Sequence, residues 1–128
     1  MKTVYICSPY RGSAEEIAEN VENARIWCAM ALRNGYTPVA PHLYIPPLLS
    51  DEISTERETA LAVCRELVSR CDCLWVCGNK VTEGMQIEIE HARLIGKPIK
   101  HVDSGIEQNY SEDRLGDIVL NDFFKKER

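Results

Sequence analysis

Hydrophobic positions along the chain switch repeatedly between a period of two and a period near 3.6, and those switches predict the elements. Residues 3–8, Thr3-Val4-Tyr5-Ile6-Cys7-Ser8, form a short β-branched and aromatic run that stops at a Pro-Tyr-Arg-Gly turn. Residues 13–34 then take helical spacing, with Ile17, Val21, Ala24, Cys28 and Ala31 on one stripe. Ser13 is placed to cap this helix, Glu15 and Glu16 complement its dipole, and Asn34-Gly35 is a natural stop. A strand is expected at 36–40 and a helix over 55–71 with Ala60, Leu61, Cys64, Leu67 and Val68 turned inward. A near-continuous apolar strand at 72–77 follows, as buried parallel strands read. A loop at 78–82, a helix over 83–95 and a strand at 99–102 complete the pattern. Beyond it the chain turns polar, with a weak helix at 113–124 whose Leu115, Ile118, Val119 and Phe123 could dock on the domain or a neighbour.

Strict β-α-β-α-β-α-β alternation implies a parallel sheet with right-handed crossovers and helices on both faces. The expected fold is a three-layer, flavodoxin- or Rossmann-like α/β domain with strand order 2-1-3-4. In such sheets a ligand binds beyond the carboxyl ends of the strands, where the order reverses. That point lies between the first and third strands, so residues 8–12 and 78–88 should face one another. At 128 residues the chain fits one domain, residues 1–128, with a core at 3–102 and a polar tail at 103–128.

Between the second strand and second helix, residues 41–51 are apolar and carry Pro41, Pro46 and Pro47. A connector this long and greasy is expected to lie across a pocket or against a partner subunit, so a homo-oligomer is the expected assembly.

Composition narrows the partners. A net charge of −5 argues against a nucleic-acid polymer, which needs a basic face to displace counterions. It leaves room for a small phosphorylated ligand, which asks only for a cation and some free N–H groups. The opening residues lack the shape of a secretory leader, and no apolar run approaches a bilayer's thickness. The six cysteines therefore read as reduced thiols, mostly buried, in a cytoplasmic protein without a membrane partner. Their spacing does not pair them as a zinc site, and no metal or other cofactor is expected.

Two segments converge on the ligand edge. Ser8-Pro9-Tyr10-Arg11-Gly12-Ser13 combines hydroxyls, a guanidinium, a glycine and a helix N-terminus, which together make a plausible anion cradle. On the third helix, Gly84, Glu88 and Ala92 share a face at i, i+4 spacing, so small residues flank the Glu88 carboxylate. Glu90 points elsewhere, to solvent. His42, after Pro41, sits at the ligand side of the second strand as a candidate base or phosphate contact. Asp72, at the opposite edge of the sheet, reads as a helix-to-strand turn residue. Trp75 belongs to the core, and Trp27 to the core or an interface.

The Ser8-to-Gly12 turn, Ala40-Pro41-His42, the strand running from Cys71 through Trp75 to Gly78, and Glu83-Gly84-Met85-x-x-Glu88-Ile89 resemble the nucleoside 2-deoxyribosyltransferase-like superfamily over residues 3–102. The resemblance implies an enzyme of the N-glycosidic bond, hydrolase or transferase, acting on a nucleoside or nucleotide. Gly84 and Glu88 match a glycine followed four residues later by a nucleophilic glutamate. Tyr5 and the Ser8-to-Gly12 turn match the aromatic and turn that line the sugar or phosphate pocket. Tyr5 or Tyr10 would hydrogen-bond Glu88 and keep it ionised. Ser8, Tyr10, Arg11, Gly12, His42, Gly78, Glu83, Gly84 and Met85 are the implied substrate contacts, Glu83 as an acid or base. Relatives carry an aspartate on the preceding helix, at a place that falls on Cys64 here. Two other readings stand beside the enzyme: a non-catalytic binder of a nucleotide or ADP-ribose-like ligand, and a structural subunit.

Overall fold

A computed structural model describes residues 1–102; the tail at 103–128, with its expected helix, lies outside the described residues. Four strands, β1 (Lys2–Cys7), β2 (Tyr36–Val39), β3 (Cys73–Cys77) and β4 (Ile99–Val102), alternate with three helices, α1 (Ala14–Arg33), α2 (Ser54–Arg70) and α3 (Glu83–Leu94). All pairings are parallel and the order is β2-β1-β3-β4, the doubly wound arrangement that the alternation implies. The elements expected within residues 1–102 are all present, with no end moved by more than one residue.

Side-chain alternation splits the core into two layers. Val4, Ile6, Trp75 and Cys77 face α1, where they meet Trp27, Met30 and Ala31. Tyr5, Cys7, Leu74 and Val76 point the other way, toward Cys64 and Val68 of α2 and Met85, Ile89 and Ala92 of α3. Neighbouring residues of one strand thus serve opposite cores, which is why β1 and β3 read as continuous apolar runs. The α1 stripe is rotated from its expected centre: Ala24 and Ala31 are buried, but Trp27 and Met30 carry the packing, while Ile17, Val21 and Cys28 are only partly covered. The two large side chains fill the layer better than the smaller ones beside them.

Local chemistry explains the boundaries. Ser13 caps α1 in a reciprocal box, its Oγ accepting from the Glu16 N–H at 3.2 Å while Glu16 Oε1 accepts from the Ser13 N–H at 2.8 Å. Pro38 is tolerated in β2 because that strand is at the sheet edge. Asp72 is a turn residue whose carboxylate accepts from the Thr3 N–H at 2.7 Å and the Thr3 hydroxyl at 3.2 Å, tying the start of β3 to β1. No helix among the described residues is long and apolar enough to cross a membrane.

Candidate functional site

The carboxyl ends of β1 and β3 deliver their loops to one place. Gly78 leaves β3 with φ of +101°, a conformation that side chains rarely adopt, although a Cβ there would meet Trp27 at 3.5 Å and Pro9 at 3.8 Å in ordinary contact. A glycine is required for that exit, and it lets the turn after β1 and the turn after β3 lie side by side. Thr82 then caps α3, its Oγ1 accepting from the Met85 N–H at 3.2 Å. That cap fixes the first turn of α3 and, one turn on, places Glu88 against β1.

Glu88 is 5% exposed and is the only buried carboxyl among the described residues. Its Oε2 accepts a hydrogen bond from the Tyr5 hydroxyl at 2.8 Å, and its Oε1 has no hydrogen-bond partner. Burial raises the Glu88 carboxyl above its ordinary range, while Tyr5 and the thiols of Cys7 and Cys64 pull it part of the way back. The expectation that tyrosine keeps this carboxylate ionised is thus only half of the balance, because desolvation outweighs the bond. The same burial, reinforced by the carboxylate, holds the Tyr5 phenol and the Cys7 thiol protonated and pushes the Cys64 thiol up to about 11. Glu88 therefore sits among neutral donors.

In front of this carboxylate lies a cavity of about 860 Å³, within the range that small-molecule sites occupy. Cys64, Glu88 and Gly84 form its inner wall, and the 45–49 segment, with Ile45, Leu48 and Leu49, covers one side. Tyr10 and His42 form another wall, their rings 5.5 Å apart between centroids. Burial lowers the His42 imidazole below its ordinary value, so it is neutral, and its Nδ1 lacks a partner. Arg11 reaches the mouth but is engaged: its Nε lies 3.3 Å from Asp51 Oδ2. Arg57 holds the same residue, Nη1 donating to the Asp51 carbonyl at 3.0 Å.

The residues expected at the site thus fall into two groups. Tyr10, Arg11, His42, Glu83, Gly84 and Glu88 line the cavity. Tyr5, Ser8 and Met85 are buried behind it, and Gly12 and Gly78 shape the turns. Tyr10 is not the partner of Glu88; its ring packs on His42 and its carbonyl accepts from Asn20 Nδ2 at 3.0 Å. Ser8 is 1% exposed with an unpartnered Oγ. The pinning of 50–51, by Arg11, Arg57 and a 2.7 Å bond from the Ser50 N–H to Glu56, escaped the sequence reading, since nothing in the spacing links these residues. The thiols of Cys7 and Cys64 were legible only as buried hydrophobes. Among the described residues no three His, Cys, Asp or Glu side chains gather as metal ligands would.

Comparison with solved structures finds the 2-deoxyribosyltransferase of the psychrotolerant bacterium Bacillus psychrosaccharolyticus, at a TM-score of 0.61 and 18% identity, covering 79% of this chain and 72% of that one. At that identity the likeness is one of fold. Comparison with curated protein sequences gives no match. The model of one family, described as Domain of unknown function (DUF7768), matches residues 2–102, and the chain belongs to that family.

Proposed function

We propose that the chain binds a nucleoside-like molecule in the cavity before α3 and breaks its N-glycosidic bond, with Glu88 as the nucleophile. The observation that carries this reading is the Glu88 carboxyl itself: the residue lines the cavity, one of its oxygens is held by Tyr5, and the other is buried without a hydrogen-bond partner. A carboxylate so placed can attack the anomeric carbon of an oxocarbenium-like transition state and hold the sugar as an ester, which water or a second base then releases. Tyr5 fixes the aim of that oxygen pair, Tyr10 and His42 offer an aromatic wall for a base, and Gly84 keeps the approach to Glu88 open. The fold shared with a 2-deoxyribosyltransferase supports the same class of chemistry.

The second reading is a binder that leaves the bond intact. It draws on the desolvation that raises Glu88, which works against an ionised nucleophile, and on Cys64 standing in the wall where the resemblance places an assisting aspartate. Either way the ligand occupies the same cavity. A ligand phosphate at the mouth would have to displace Asp51 from Arg11, so tight phosphate recognition at that turn carries an added cost.

Release of base from a panel of nucleosides and nucleoside monophosphates, followed by chromatography, tests the proposal. Glu88→Gln should abolish release and leave the affinity for panel members with a neutral base nearly unchanged, while Glu90→Gln, on the exposed face where Glu90 pairs with Arg93 at 3.7 Å, should release base as the parent does. Tight binding of a panel member without release by the parent protein would select the binder.

A further inference from the structure

We infer that the cavity selects an N-glycoside whose base is cationic, a pyridinium-type or N-alkylated heterocycle, over neutral and phosphorylated nucleosides. The inference rests on the reading of Glu88 as the group facing the anomeric carbon.

Charge is the first ground. Five acids, Asp51, Glu52, Glu56, Glu83 and Glu88, line the cavity against two cations. Arg11 is paired with the Asp51 carboxylate and Arg57 donates to the neutral Asp51 carbonyl, which leaves four acids against one cation. The walls between are aromatic and aliphatic, with Tyr10, His42 and Ile45, and a flat cation is attracted both by ring faces and by the acids. The neutral His42 ring adds no opposing charge.

The second ground is independent of the acidic rim. Glu88 lines the cavity, yet its Oε1 is buried without a hydrogen-bond partner, so a negative charge on this group has neutral donors beside it and no cationic partner. The groups that face it, Tyr5 and Cys7 from β1 and Cys64 from α2, are all neutral. A ligand cation in the cavity supplies the missing countercharge.

Chemistry supplies the third. A neutral base leaves with the electron pair of the broken bond and needs a proton from a nearby acid. The inner wall offers no second buried carboxyl, and Cys64 is a thiol pushed up to about 11, a weak acid for that task. A cationic base needs none. A Glu88 carboxylate oxygen bonds to the anomeric carbon, the carbon–nitrogen bond breaks, and its electron pair neutralises the ring nitrogen. Charge is conserved, −1 and +1 giving a neutral ester and a neutral base. Water then opens the ester, returning the sugar, the carboxylate and a proton to solvent.

A pair of probes with nearly the same shape isolates the charge: the nicotinamide N-riboside, a pyridinium cation, and its reduced dihydropyridine form, which is neutral. Calorimetric titration of the full chain should give the cation at least about tenfold tighter binding, and Glu88→Gln should reduce that preference to within about twofold. Equal binding, tighter binding of the neutral form, or no binding of either overturns the inference. Base release is read in the same samples. A bound cation that is never cleaved leaves the charge selection standing and sinks the nucleophile. Release from neutral nucleosides without a preference for the cation does the reverse.

Discussion

Replacing Glu88 by glutamine should make this protein more stable at neutral and alkaline pH, and the gain should vanish in acid. The carboxyl is 5% exposed and its pKa is raised by burial above the ordinary 4.5, the Tyr5 bond notwithstanding. A carboxyl whose folded value exceeds its unfolded value binds more protons in the native state. Its contribution is then fully present below the unfolded value and is lost as pH rises through the folded one. Across that window the stability of the parent protein falls by up to about 1.4 kcal/mol per pH unit. Glutamine does not titrate, keeps the volume and still accepts from the Tyr5 hydroxyl, so its curve lacks this fall. The two proteins should be close at about pH 4 and diverge above it, each 1 kcal/mol appearing as roughly 3–6 °C in the midpoint of a domain this size. Thermal melts or urea titrations of both proteins at half-unit steps of pH provide the assay. A glutamine variant that differs from the parent by a constant amount at every pH would refute the reasoning, because it would mean that the carboxyl titrates alike in the folded and unfolded chain. Such a gain is what a site held ready for a ligand should show, stability having been given up for the function.

Three further outcomes test other parts of the site. Tyr5→Phe removes a hydrogen bond to a charged group, which is worth about 1.5–3 kcal/mol; kcat should fall by roughly 10- to 100-fold, and the acid limb of the pH–rate profile should move to higher pH because one of the interactions that lower Glu88 is gone. Gly78→Ala forces a Cβ into a backbone with φ of +101° and should cost about 1–2 kcal/mol in urea unfolding; no loss would mean that the loop after β3 relaxes freely. The chain should self-associate through the 43–49 segment, where Leu48 is 73% exposed; light scattering should find an assembly that Leu48→Glu disperses, and a monomer mass for the parent at all concentrations would refute this.

The fold was legible because its determinants are local and periodic. The run from Val4 to Cys7 is apolar at every position since the two faces of β1 serve different cores; α1 announces both of its ends through Ser13 and Asn34. The one misplaced stripe, on α1, has a plain cause. Spacing alone gives equal weight to Val21 and Trp27, but a close-packed layer is filled by volume, and the indole takes the position between β1, β3 and the Gly78 exit.

Site residues were legible in proportion to how far a single element determines their surroundings. Glu88 could be placed on the side of α3 that Gly84 and Ala92 share, because helical geometry settles that within eight residues. Whether a carboxylate there is charged depends on Tyr5 and Cys7 from β1 and Cys64 from α2, which are brought to it only by the crossovers. Arg11 shows the same limit from the other side. Beside a helix N-terminus it reads as half of an anion site, yet Asp51, forty positions away in sequence, lies 3.3 Å from its guanidinium in an exposed pair that an incoming anion would have to compete with. A sequence displays which groups can be ionised; the balance of charge they present to a ligand is set by their tertiary partners, and at the mouth of this cavity the Arg11 guanidinium that the turn offers to an anion has Asp51 as its partner.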